Sequence, residues 1–159
     1  MAATIGFENV LPFTPAQLAV TAGVNISEGP STTDWADNLP GFLASVNDTI
    51  IQVDQASTFT FGWSATGSFA GWLLNPCTCK VDVFYELMGP GEATFVVPAV
   101  TVPMSVSGTA TINVAPNTVS EGVYRIVARM MIFPPTGNIP ASSPICGFTD
   151  MGLVEYYAG

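Results

Sequence analysis

The chain has no histidine, and only three basic residues, Lys80, Arg125 and Arg129, against twelve acidic ones in 159 residues. Each shortage removes a kind of chemistry. Without histidine there is no imidazole base at neutral pH, no Ser–His or Cys–His nucleophile pair and no imidazole metal ligand. A net charge of −9 repels phosphate backbones and anionic lipid, so no nucleic-acid partner is expected. No run reaches the roughly eighteen apolar residues of a membrane span. No membrane insertion is therefore expected. The opening Met1–Glu8 segment lacks the basic and apolar regions of a secretory signal, which leaves a cytoplasmic or virion protein, export without a signal, or a signal already removed. There is no Gly-x-Ser-x-Gly elbow, no glycine-rich phosphate loop and no calcium-loop spacing. Asp34 and Asp37 stand three apart before Leu39 and are read as solvated acids rather than a catalytic pair. These shortages lead to an expectation of no enzyme, no cofactor and no metal.

What is present is apolar and β-forming. Hydrophobic residues make up 48% of the chain and charged residues 9%, where about 25% charged is usual. A surface with so little charge is either covered with Thr, Ser, Asn and Gly or buried against another chain. The length suits one domain.

Residues 1–47 differ from the rest. They are broken by Pro12, Pro15, Gly23, Gly29, Pro30, Pro40 and Gly41, and they carry Phe7, Phe13, Trp35 and Phe42. The expectation is an apolar N-terminal arm. It holds a strand-like piece at Ala19–Ile26 and one helical turn after the Ser31-Thr32-Thr33-Asp34 cap. Asn25-Ile26-Ser27 and Asn47-Asp48-Thr49 match the glycosylation pattern, a match that arises often by chance.

From residue 48 a regular β pattern begins. Strands are expected at Thr49–Val53, Thr58–Thr66, Thr78–Met88, Ala93–Val102, Thr109–Val114, Val123–Phe133 and Phe148–Tyr157, separated by Gly-, Pro- and Asn-rich turns. Alternation assigns faces. Phe59, Phe61 and Trp63 share one. Val81, Val83, Tyr85 and Leu87 oppose Lys80, Asp82, Phe84 and Glu86. Ala110, Ile112 and Val114 oppose Thr109, Thr111 and Asn113. Tyr124, Ile126, Ala128, Met130 and Ile132 oppose Val123, Arg125, Val127, Arg129 and Met131. Seven such strands in residues 48–159 predict an all-β, antiparallel β-sandwich carrying the extended arm.

Glu121-Gly122-Val123-Tyr124-Arg125-Ile126 looks like the turn and tyrosine corner that open strand F of the immunoglobulin/fibronectin-III-like superfold. The resemblance is at the level of fold and covers about residues 48–158. It implies an immunoglobulin-like sandwich and no particular function. The chain departs from antibody domains, with Phe61 or Trp63 and Ile126 where the inter-sheet cysteines would stand.

The cysteines are Cys77, Cys79 and Cys146. Cys77 and Cys79 point the same way in a strand, so bridging them to each other is strained. In the sandwich Cys146 falls at their end, and a disulfide from Cys146 to one of them is expected. The alternatives are three reduced thiols, and a three-thiolate metal that lacks a fourth ligand. Lys80, Asp82, Glu86, Arg125 and Arg129 all fall on one outer face as cross-strand ion pairs, Arg125 near Glu86 and Arg129 facing Asp82 or the neighbourhood of Lys80. The aromatics Trp35, Phe69, Trp72, Tyr156 and Tyr157 would form either a sugar-stacking platform or a seat for a neighbouring chain. Phe7, Phe13, Trp35, Phe42 and Trp72 are the candidate interface residues.

The function expected is a non-enzymatic, self-assembling structural subunit of a filament, coat or particle, polymerising with itself by arm or strand exchange. The alternative is a secreted or surface binding module whose aromatic loops hold a glycan or protein ligand. The location expected is outside the cell or on a particle surface, with the cytoplasm as the alternative.

Overall fold

Apolar residues at every second position bury one side of an extended chain and leave the other to solvent or to a partner. Among the described residues nine segments are extended strands, and Ser57–Thr66, Thr78–Leu87, Ser107–Val114 and Gly122–Phe133 follow this pattern most closely. The computed structural model describes residues 3–9, 14–29, 49–89, 94–133 and 145–158. The strands are β1 (Ala3–Asn9), β2 (Ala19–Glu28), β3 (Ile50–Gln52), β4 (Ser57–Thr66), β5 (Thr78–Leu87), β6 (Thr94–Pro103), β7 (Ser107–Val114), β8 (Gly122–Phe133) and β9 (Ile145–Tyr157). One short helix, α1 (Ala70–Leu74), links β4 to β5. Among the described residues the protein is all-β apart from that helix.

The strands form one curled sheet in the order β6-β5-β8-β9-β1-β2-β4-β7, with β3 on the flank of β9. All pairings are antiparallel except β3 with β9. β1 joins the two halves. Its residues Ala3, Thr4 and Ile5 pair with Val24, Gly23 and Ala22 of β2, and Gly6–Asn9 then pair with Phe148, Gly147, Cys146 and Ile145 of β9. The nine strands differ from the expected seven because residues 3–9 and 19–28, read as parts of an arm, are full members of this sheet in the same chain. The helical turn expected after Ser31, with Trp35 and Phe42, and the residue Phe13 lie outside the described residues.

The curl brings the halves face to face. Phe59 of β4 meets Tyr85 of β5 edge-on at 6.0 Å between ring centroids, although three strands separate β4 from β8, the neighbour of β5. The core between the halves contains Val24, Ile26, Phe59, Phe61, Val81, Val83, Tyr85, Ile126, Ala128 and Met130, all fully buried. The expected face assignments hold through β4, β5, β7 and β8: buried positions alternate with more exposed ones, except that Gly62 and Asp82 of the outward sets are also buried.

Three local features set this register. Asn117 takes φ 60° in the turn between β7 and β8, the left-handed conformation that Asn accepts more readily than most residues. Gly147 lies against β1: a Cβ there would stand 2.7 Å from both Ile5 Cγ2 and Phe7 Cδ1, so only glycine lets β1 seat. β9 carries an irregularity opposite Ile126 and Val127. Beyond it the strand's faces are exchanged by one residue.

Candidate interaction surface

At the β7–β8 corner the hydroxyl of Tyr124 donates to the carbonyl of Ser120 at 3.1 Å and accepts from the Ser120 hydroxyl at 2.8 Å. This ties the strand's first turn to the chain four residues upstream. Inside the core, Tyr85 and Tyr156 share a hydrogen bond of 3.0 Å, and Tyr156 meets Ser57 Oγ at 3.2 Å across the two halves. Burial pushes the phenol pKa of both tyrosines upward. A buried phenol without a partner would be costly, so the chain Tyr85–Tyr156–Ser57 holds polar groups that the sequence alternation placed inward. Tyr156 is therefore core, not part of an exposed aromatic platform.

The thiols do not form the expected bridge: no disulfide joins Cys77, Cys79 or Cys146. Cys79 and Cys146 do lie at the same end, since Cys79 pairs with Ile132 and Cys146 with Met131. But β8 stands between them, so their backbones are two strand spacings apart, about 9–10 Å, beyond disulfide reach. They also face opposite ways. Cys79 is fully buried in the core, where desolvation raises its pKa to about 12. Cys146 alternates with buried Ile145 and Gly147 and so faces outward. Cys77 packs partly against the core, and burial raises its pKa too. Among the described residues no group of three or more Cys, Asp or Glu could hold a metal ion.

The outer face of β5, β8 and β9 collects the remaining chemistry. Arg129 makes a two-pronged bond to Asp82, Nε to Oδ1 at 2.9 Å and Nη2 to Oδ2 at 2.8 Å, and its guanidinium lies 4.8 Å over the Phe84 ring. The bond to Asp82 raises the Arg129 pKa. Lys80 Nζ approaches the same carboxylate at 3.9 Å. Asp82 points outward, yet its side chain is only 4% exposed, because these neighbours cover it. Arg125 stands opposite Glu86 in the ladder, 4.0 Å from its carboxylate, but its shorter bonds run to Asp150 Oδ2 at 2.9 and 2.7 Å. The Arg125 bonds, then the Gly152 N–H donated to Oδ1 at 2.9 Å, hold the Asp150 pKa below the usual carboxylate value.

Asp150 was not anticipated, and neither was the apolar character of this face. Among the described residues seven large hydrophobic side chains are exposed. Six of them, Ile50, Met88, Val123, Phe148, Leu153 and Tyr157, sit on this face or at its rim; Val106 lies in the β6–β7 turn. Phe148 is 56% exposed, Leu153 54% and Ile50 58%. All three basic residues of the chain are here too, against Asp82, Glu86, Asp150 and Glu155. The face is thus nearly neutral in a chain of net charge −9.

Of the other expected sites, Phe7 packs against the core beside Gly147 and Trp72 falls within α1. Phe13, Trp35 and Phe42 lie outside the described residues, as do Asp34, Asp37 and Asn47. Asn25 is 2% exposed with its Oδ1 unpartnered. It is inaccessible to a glycosylating enzyme in the folded chain. No protein-family model matches this chain, and no curated protein is similar to it in sequence.

Proposed function

We propose that the protein is a non-enzymatic, self-assembling structural subunit of a filament, coat or particle outside the cell or on a particle surface. The observation that carries this reading is the neutral, apolar outer face of β5, β8 and β9. Exposed apolar patches mark contact surfaces. Copies of a polyanion repel one another wherever acids face acids, and every basic side chain this chain owns lies on this face. A second copy therefore meets least repulsion there and gains burial of Phe148, Leu153 and Ile50.

Strand exchange is the second element of the reading. β1 holds the sheet through three residue pairs to β2 and four to β9, and it inserts Ile5 and Phe7 beside Gly147. The same groove in a second copy fits the same strand, so β1 is the segment that would exchange. The strand order also supports the immunoglobulin-like reading: β6-β5-β8-β9 correspond to strands C′, C, F and G, and β2-β4-β7 to A, B and E. Exposure of Phe148 and Tyr157 on one face favours, as the second reading, a binding module that stacks a glycan or docks a protein ligand there.

Light scattering on a sizing column, across protein concentrations, with negative-stain microscopy tests the proposal. Larger species are expected for the wild type and smaller ones for F148S. A wild type that stays monomeric up to the highest soluble concentration overturns it, and sugar binding by that monomer would favour the second reading.

A further inference from the structure

Among the described residues β6 and β7 end the curled sheet, and these two edges are built differently. At one end β6 carries Pro98 and Pro103, and its ladder with β5 is irregular between Val81 and Val83. Proline lacks an N–H and blunts an edge against further pairing. At the other end, among the described residues, β7 pairs with β4 on one side only, through a continuous register from Ser57↔Val114 to Ser64↔Ser107. Its sequence, Ser-Gly-Thr-Ala-Thr-Ile-Asn-Val, has no proline, no charge and no bulge. Every second residue of such a strand turns its N–H and C=O to the open side.

The sequence of β7 identifies what pairs with it. The Ser107 carbonyl accepts a hydrogen bond from the Ser105 hydroxyl; beyond it, Gly108–Val114 has no second strand partner among the described residues, with Thr111 at the midpoint. We propose that β7 pairs antiparallel with β7 of a second copy about a two-fold axis at Thr111. That register keeps faces matched: Thr111 opposes Thr111 and Thr109 opposes Asn113 on the outside, while Ala110 opposes Ile112 on the core side. Thr–Thr and Thr–Asn neighbours of this kind hydrogen-bond across a ladder. Charge favours a copy over another partner. A basic segment selected by this acidic chain would find no carboxylate along β7, whereas a second polyanion meets an uncharged strip.

This inference rests on the self-assembly reading and extends it. β7 ends the sheet, away from the β5-β8-β9 face, so each copy has two separate self-complementary contacts. Copies joined alternately through them form a chain that does not close as a dimer.

The test places charges at the axis. Thr111 is exposed, so T111K and T111D leave the core untouched, and circular dichroism checks their fold. Each variant sets like charges directly opposite one another and should stop assembly at the small species made by the outer face. An equimolar mixture sets lysine against aspartate and should restore the larger species in sedimentation velocity and microscopy. Single variants that assemble like the wild type, or a mixture that stays small, overturn the β7 pairing while leaving the outer-face reading in place. A wild type that never associates overturns both.

Discussion

Arg129→Met should destabilise the fold by an amount set by what it leaves behind. The substitution keeps most of the apolar stem and deletes both bonds to Asp82. The Asp82 carboxylate, 4% exposed, then keeps only Lys80 at 3.9 Å. Breaking a buried ion pair from one side costs about 3–5 kcal/mol. Two features lower that figure here: Arg129 is itself 37% exposed, so water reaches its end of the pair, and the Lys80 ammonium can move closer. Losing the contact with Phe84 adds about 0.5–1 kcal/mol. The sum is roughly 2–4 kcal/mol, or about 5–15 °C in Tm for a chain of this size. Pairing it with Asp82→Leu removes both charges and should recover most of the loss, since apolar replacements of buried pairs are often neutral. Urea unfolding followed by tryptophan fluorescence, to which the buried Trp63 contributes, measures the wild type, each single variant and the double. A single variant within about 0.5 kcal/mol of wild type, or a double variant no better than the single, refutes the view of Asp82 as a desolvated carboxylate held by Arg129.

Gly147→Val should unseat β1, because its Cβ alone would stand 2.7 Å from Ile5 and Phe7; hydrogen exchange at Ala3–Asn9 should rise and stability fall by about 1–3 kcal/mol, and unchanged protection there would show the approach is not tight. Asp150 has a folded pKa below its unfolded value, so the stability it contributes is present above about pH 4 and is lost as pH falls through the folded pKa. Asp150→Asn should therefore flatten the acid limb of the stability–pH curve by a fraction of a kcal/mol, the scale of an exposed pair, and an unchanged acid limb counts against the Arg125 bond. Mass spectrometry of unreduced protein should find no disulfide, with Cys146 alkylated first at pH 8 and Cys79 only on unfolding; modification of Cys79 in the folded protein would contradict its burial.

The amino-acid sequence by itself determined the side chains of the core. Strict alternation in β4, β5, β7 and β8, punctuated by Gly, Pro and Asn, sorts inward from outward residues because a strand's period is two. It also put Arg125 near Glu86 and Arg129 near Asp82 or Lys80, since two antiparallel strands with known inner faces have few registers left; the sheet then set Asp82 opposite Arg129 and Glu86 opposite Arg125. Alternation could not reach β1, where Ala3–Asn9 divides its pairing between two strands and serves neither for long. Nor could it reach β9. The irregularity near Met151 exchanges faces, so Phe148 and Leu153, odd and even in number, stand together outside, while Val154 and Tyr156 turn in. A continuous alternation would have put Phe148 with Tyr156. The apolar outer face, the Arg125–Asp150 pair and the separation of Cys79 from Cys146 all depend on that shift and on which strand β8 lies between. Those are long-range facts: only the paired sheet decides them, because a bulge and a strand order carry almost no local signal.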